Sequence, residues 1–242
     1  MDTRVWGPSA WKMLHAVAMD YNSNKKSNII IYKNFFVNLQ NILPCKYCRM
    51  SYSEFIIDSP FTDKVLLNNE TLSHNLFVIH NKVNNKLIKQ GYPCRKKSRF
   101  TTFYNSMKKK MLEYESNHQI DIGYTFIGCV VFNFPISNPT ELITKSYKKF
   151  LKALPKIYPT SMGRKQLKKY LKENRIDEYL TSRSKLISWF TKSPFLKYTI
   201  KHPNGKVHVS KKEIIDHFES FRANCSTETC RNRSFISDIS KM

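Results

Sequence analysis

The spacing of apolar side chains over the first 115 residues leaves this chain little choice but short helices packed on one another. Trp11, Leu14, His15 and Ala18 fall at i, i+3, i+4 and i+7, one face of a helix. Pro8 stands near the first turn of that helix, where a missing N–H is tolerated. Residues 22–28 (NSNKKSN) form a turn, and Phe35, Phe36, Leu39 and Leu43 restore helical spacing over 29–43. Pro44 interrupts. A further helix is expected from Cys45 to Ile57, stopped by Asp58-Ser59-Pro60. Leu72, Leu76, Ile79, His80, Val83 and Leu87 line one side of a helix over 71–90, with Gly91 as its C-cap. An amphipathic, basic helix is expected over 99–115. Four or five short helices in this length make a bundle-like plan.

Beyond residue 120 the character changes. Residues 124–134 are β-branched and aromatic and read as a buried strand. Residues 142–154 and 165–189 read as helices, and 198–209 as a hairpin around Asn204-Gly205. A helix over 211–221 leads into a polar, cysteine-bearing tail. The expected boundary falls within 116–120, dividing the chain into residues 1–118 and residues 119–242. The expected class is mainly α, with a helical bundle followed by a smaller α+β domain.

Composition narrows the chemistry. With 41% hydrophobic residues, 16 Phe and 13 Tyr, a packed core is within reach. Only six glycines are present, and neither GxGxxG nor GxxxxGK[ST] occurs, so a nucleotide or flavin must be held without a Gly-rich loop. The net charge is +23, and it is spread along the chain: 18 Lys+Arg against 8 Asp+Glu in residues 1–120, 23 against 10 in the rest. Such an excess is a solvated lysine-rich surface or one that meets nucleic acid, anionic membrane or an acidic partner. No nucleic-acid-reading motif accompanies it, so nucleic-acid binding is possible but not expected. The opening MDTRVWGPSAW lacks the basic and apolar regions of a signal peptide. The longest apolar stretch, 120–136, is broken by Asp121, Gly123, Gly128 and Asn133, so no transmembrane segment is expected.

The six cysteines fall into a CxxC (Cys45, Cys48), a Cx4C (Cys225, Cys230) and two others, Cys94 and Cys129. Close pairs in a chain with no secretion signal are more often catalytic or metal-binding than structural. Cys45 and Cys48 open a helix directly after a proline. The free N–H groups and dipole there stabilise thiolate, and Lys46 and Arg49 add positive charge. A pair at this spacing can close a disulfide and reopen it to an attacking thiolate. Half of a zinc site or an idle pair are the plainer readings; zinc would need two further ligands, and no second CxxC or HxxxH supplies them. His80, Val83, Asn84 and Leu87 share one helical face. A buried amide such as Asn84 needs partners. A planar heterocycle would supply them, with Lys86 and Lys89 a turn further on for a pyrophosphate, and Trp11, His15 and Tyr21 for stacking. An ordinary core holding a few buried polar groups is the alternative.

Three phrases in this order resemble the Erv/ALR family of FAD-linked sulfhydryl oxidases, and within it the branch encoded by large cytoplasmic DNA viruses. They are Trp6-Gly-Pro-Ser-Ala-Trp11 with His15 and Tyr21, Pro44-Cys-Lys-Tyr-Cys48, and His80-Asn-Lys-Val-Asn84 running on to Lys86, Lys89, Tyr92 and Cys94. The resemblance covers roughly residues 4–105. It implies a four-helix bundle plus a short fifth helix, with FAD between the helices. It implies cofactor contacts from Gly7, Trp11, His15, Tyr21, His80, Asn84 and Lys86, with Lys89 and Tyr92 nearby. Cys48 would lie against the flavin and Cys45 would face incoming thiols. Electrons would pass from protein dithiols through Cys45–Cys48 to FAD and then to molecular oxygen, giving hydrogen peroxide. A homodimer through the bundle is implied too, as is a place in the host cytoplasm, where such a virus assembles, and in the virion. Relatives also carry a mobile relay disulfide. No cysteine precedes Cys45, so Cys225–Cys230 is the candidate, against a structural staple or inert thiols. Cys129 reads as a buried small hydrophobe.

The chain departs from that pattern in three places. The family's usual partner for Cys94, seventeen residues earlier, is Phe77 here. Pro8 stands where many members have Arg, leaving Arg4, Lys86 or Arg95 to substitute. A Trp usual after the last phrase is absent, with Phe100 and Phe103 as candidates. Two rival readings belong to other classes. One is a non-enzymatic, basic nucleic-acid-binding protein with structural zinc at Cys45/Cys48. The other is a flavin-free dithiol reductase, which would need a thioredoxin-like βαβ that the helical pattern does not provide.

Overall fold

A computed structural model describes residues 1–93, 99–117, 122–194 and 210–222. Its elements are α1 (Thr3–Met19), α2 (Lys26–Ile42), α3 (Lys46–Asp58), α4 (Asn69–Lys89), α5 (Phe100–Ser116), α6 (Tyr124–Phe132), α7 (Glu141–Ile157), α8 (Ser161–Glu173), α9 (Arg183–Phe190) and α10 (Lys211–Glu219), with a 3-10 turn at Ile176–Glu178. Among the described residues there is no strand.

α1 is the central helix. Asp2 caps it, its carboxylate accepting the Arg4 N–H at 2.9 Å. Because the helix starts at Thr3, Pro8 sits in its second turn rather than its first. From Met13 to Met19 every residue is buried, since α4, α5 and α6 all pack against this helix. α4 begins at a capping box formed by Asn68 and Thr71, and buries Leu72, Leu76 and Ile79 along α1. α3 is pinned at its middle and at its C-terminal end. The Tyr52 hydroxyl donates to Phe36 O on α2 at 2.9 Å, and Lys82 of α4 pairs with Asp58 at 3.2 Å. The fifth helix, 17 residues long, is not short.

The second half corrects two expectations. The run Tyr124–Phe132 is α6, not a strand. It lies among α1, α9 and α10, with eight of its nine residues buried. A helix buried on all sides shows no period, and an evenly apolar run reads the same for either element. Two glycines admit it. Gly123 takes φ +90°, and a Cβ there would meet Met13 Sδ at 2.4 Å. A Cβ on Gly128 would stand 2.2 Å from the Phe218 ring of α10. The single helix expected over 165–189 is two helices, α8, which packs on α7, and α9, which packs on α6. Tyr170 donates its hydroxyl to Trp189 O at 2.5 Å and Trp189 Nε1 donates to Asn174 O at 3.2 Å, so the break buries Trp189 completely. The expected hairpin over 198–209 lies outside the described residues.

The apolar core crosses residue 118. α6 packs on α1, and α7 on α2. Phe35 stacks on Phe150 (centroids 5.5 Å, planes 14°), Trp6 meets Phe126 at 5.9 Å, and Asn38 Nδ2 donates to Ser146 O at 2.6 Å. Trp6, Phe36, Phe126, Phe150 and Phe218 belong to one contiguous cluster.

Candidate active site: a dithiol beside a histidine pair

Cys45 is the N-cap of α3 (φ −148°, ψ 125°), and its sulfur accepts the Cys48 N–H at 3.3 Å where a cap oxygen would usually sit. Both sulfurs of the pair are thiols and half-buried. The Cys48 S–H also turns toward Cys45. That contact, with the backbone N–H groups of Cys48 and Tyr47, outweighs burial and holds the Cys45 thiol at about 6. Cys48 moves the other way. Sharing its proton with Cys45 raises it most, followed by burial and the Cys45 charge, while Lys86 and Arg49 oppose the rise. The reduced pair therefore carries its charge on Cys45 and its proton on Cys48. Alkylation of the reduced protein by iodoacetamide is expected to rise with pH through a midpoint near 6 at Cys45, read by peptide mass mapping. A midpoint above about pH 8, the ordinary thiol range, would show that Cys48 does not support the thiolate.

α1 and α4 run side by side and bring His15 Nε2 to 2.9 Å from His80 Nδ1. Trp11, one turn before His15, lies flat on His80 with centroids 3.9 Å apart and planes at 5°. Phe103 of α5 closes the far side, edge-on to His15 at 4.6 Å. Burial lowers both imidazoles: His80 to about 4, and His15 well below its usual value, with the His80 charge adding to it. Both rings are neutral near pH 7, and one proton serves their contact. Whichever ring donates, Nδ1 of His15 is buried with no hydrogen-bond partner among the described residues. An indole and two neutral imidazoles around an unsatisfied nitrogen suit a planar heteroaromatic ligand that brings its own donors and acceptors. Lys86 of α4 reaches across to Ser51 Oγ of α3, which places its charge beside Cys48. Asn84 lies half-buried between His80 and Lys86 along α4.

Residues 8–111 match the family model described as the Erv1 / Alr family. Over this segment, less than half of its length, the chain is similar to the Erv1/Alr family. It is similar to a probable FAD-linked sulfhydryl oxidase of Acanthamoeba polyphaga mimivirus, 36% identical over 85 residues, 35% of this chain and 59% of that protein. It is 29% identical over 97 residues to the mitochondrial FAD-linked sulfhydryl oxidase of Saccharomyces cerevisiae, 38% of this chain and 48% of that protein. A protein of Invertebrate iridescent virus 3 named for the same activity is 30% identical over 90 residues, 37% of this chain and 60% of that protein. The chain thus spans 48% to 60% of the length of these relatives. No solved structure matches it.

α1 and α4 bring Trp11, His15 and His80 together, and α3 and α4 bring Lys86 beside Ser51 and Cys48, while other expected residues lie elsewhere. Gly7 lies in α1 with open space where a Cβ would be. Tyr21 donates its hydroxyl to Leu66 O at 2.8 Å and packs on Tyr32, away from the histidine pair. Lys89 is exposed at the end of α4; Tyr92, half-buried, donates its N–H to Leu87 O at 3.0 Å and closes that helix. Phe77 packs on Phe100 and Phe103, so an aromatic contact between α4 and α5 occupies the position where the resemblance implies a cysteine. Arg4 is paired with Asp2 at 2.6 Å. Of the two candidates for the missing Trp, Phe103 reaches the site, while Phe100 packs on His74 and Phe77. Cys129 is fully buried in α6. Cys94, Arg95, Cys225 and Cys230 lie outside the described residues. Ser51 was not legible in the sequence: nothing in its spacing marks it, and only the packing of α3 on α4 makes it a partner for Lys86.

Proposed function

We propose that this chain is an FAD-linked sulfhydryl oxidase. It takes two electrons and two protons from a protein dithiol, leaving a disulfide, and delivers them to molecular oxygen as hydrogen peroxide. The observation that carries this reading is the Cys45–Cys48 pair at the start of α3, with the Cys45 sulfur as the helix cap and Lys86 of α4 reaching Ser51 of α3, on the same α4 that carries His80 of the buried Trp11–His15–His80 cluster. The relatives' names point the same way.

The residues fit the cofactor. The unsatisfied His15 Nδ1 and the parallel Trp11 and His80 rings suit a flat ring system with polar edges. Trp11, His15, His80 and Asn84 would hold its rings, and Lys86, with Lys89 and Tyr92 beyond it, its phosphates. FAD, when bound, supplies the acceptor for the electron pair of the reduced cysteines and the route to oxygen.

The chain's own sulfurs account for the thiol chemistry. A substrate thiolate attacks Cys45 of the Cys45–Cys48 disulfide, and Cys48 leaves as a thiolate near Lys86 and Arg49. While Cys45 is tied in the mixed disulfide it cannot draw on the Cys48 proton. The largest cause of the raised Cys48 value is then absent, and Lys86 and Arg49 favour its thiolate against burial. The second substrate thiolate attacks the substrate sulfur of the mixed disulfide and expels Cys45, a good leaving group because its thiol is held at about 6. The substrate leaves with its disulfide and the chain with a reduced pair. Cys225 and Cys230 serve as a relay between protein substrates and Cys45.

Two expectations meet constraints. Among the described residues, no third His, Cys, Asp or Glu joins Cys45 and Cys48 in a metal-binding group. Any homodimer must use faces other than those of α1 and α2 that α6 and α7 cover. No described helix is long and apolar enough to cross a membrane. Purified protein is expected to be yellow, with a flavin spectrum that bleaches on adding dithiothreitol under nitrogen and returns in air. A colourless protein that takes up no FAD and consumes no oxygen would sink the reading.

A further inference from the structure

The helices beyond residue 111 carry a charged surface that the thiol chemistry does not use. α8 holds Arg164, Lys165, Lys168, Lys169 and Lys172 against a single acid, Glu173. The four lysines fall at i, i+3, i+4 and i+7, so they stand on one face over about 10 Å of helix. All four are exposed. Among the described residues none of them makes an ion pair. The lysines of the neighbouring helix differ. On α7, Lys145 pairs with Glu141 at 2.6 Å, and Lys148 and Lys152 share Asp177. Arg164, the remaining cation of α8, pairs with Asp20 at 2.6 Å. Like charges at this spacing repel one another. α8 holds them together because its other side is fixed in the core, through buried Leu167 and through Tyr170, which donates to Trp189 O.

We propose that this face of α8 binds the phosphate backbone of a nucleic-acid duplex without reading its bases. The four lysines lie outside residues 8–111, and the binding is independent of thiol oxidation. Charge complementarity points to a dense polyanion. A duplex carries one negative charge per about 1.7 Å of its axis, so about 10 Å of it brings about six charges to four unpaired ammonium groups. The lysine head is a point charge on a flexible stem, which reaches phosphates without matching their exact spacing. The rest of the face decides between polyanions. The aromatic residues of α7 and α8 are Tyr147, Phe150 and Tyr170, and all three are buried. They offer no platform for unpaired bases, on which single-strand binders rely. A helix that lies in a membrane surface keeps an apolar face free to enter the lipid. On α8 that face is already committed, since Leu167 and Tyr170 are buried against the protein.

The test is the salt dependence of binding, read by fluorescence anisotropy of a short labelled DNA duplex of mixed sequence with the full-length protein. Four phosphate contacts give a slope of log K against log salt of about −3.6, so affinity should fall at least about 10²-fold between about 50 and 200 mM salt. Lys165→Gln/Lys168→Gln/Lys169→Gln/Lys172→Gln is expected to remove about 3.6 from that slope, and the same four positions changed to Arg to keep it. Lys25→Gln/Lys26→Gln/Lys109→Gln/Lys110→Gln takes as much charge from exposed positions at the start of α2 and on α5, and should change the slope by less than about 1. Far-UV circular dichroism should be the same in all of them. Equal losses in the two Gln variants would show that the net charge of +23 acts as a whole, and would overturn the site. A wild-type slope shallower than about −1 would overturn it too. Tighter binding to phosphatidylserine vesicles or to polyglutamate than to the duplex, at equal negative charge, would overturn the assignment to nucleic acid.

Discussion

Cys45→Ser is expected to lower dithiothreitol-dependent oxygen consumption by about 10³-fold or more, the scale of losing an essential nucleophile, while the bound flavin stays. The reasons are local. On the proposed reading Cys45 is the sulfur that an incoming thiolate attacks, and its side chain caps α3. The flavin should remain because Trp11, His15 and His80 meet one another through α1 and α4, without Cys45. Cys48→Ser should be equally inactive but should behave differently toward substrate. It keeps the Cys45 thiolate, so it should accumulate mixed disulfides at Cys45 that Cys45→Ser cannot form. Oxygen electrode rates, flavin absorbance and intact mass of trapped adducts measure all three properties. If Cys45→Ser kept near-normal turnover, Cys45 would not be the entry point.

Phe150→Ala is expected to destabilise the whole chain by about 3–5 kcal/mol, a large share of the roughly 5–15 kcal/mol that holds a typical domain together. Phe150 is fully buried, stacked on Phe35 of α2 and edge-on to Phe126 of α6 at 6.1 Å. It therefore sits where the two halves of the sequence share one core. The expected result is a single unfolding transition at lower denaturant, with flavin fluorescence and far-UV circular dichroism moving together. Two separate transitions, with only the later one shifted, would mean that residues 1–118 hold their own core and that the contact between α2 and α7 adds little.

Much of the site was legible before any folding was considered. Each legible feature has a short-range cause. A proline followed by a cysteine at a helix start determines where the CxxC stands relative to a dipole. The 3.6-residue repeat places His80 and Asn84 on one face with Leu76 and Val83. A mixed run such as 71–90 betrays its helix because one side must be polar. The run 124–132 betrayed nothing, since α1, α9 and α10 bury it from every direction and remove the contrast that periodicity needs. The break between α8 and α9 has local marks in the Asn174 C-cap and the Ser182 N-cap, and the contact of Trp189 with Tyr170 and Asn174 fixes it from across the turn.

The sequence by itself determined the helical bundle, the dithiol and the aromatic and histidine residues that flank it, because those depend on neighbours within one or two turns. Tertiary structure decided the rest. It chose Phe103 over Phe100 as the cover for His15, drew Tyr21 away to Leu66, and set Lys86 beside Cys48 through Ser51. It also brought Phe221 to Asp2, at the edge of the pair. These are contacts between residues far apart in the chain. They follow from which apolar faces can be buried together, and no local pattern encodes that.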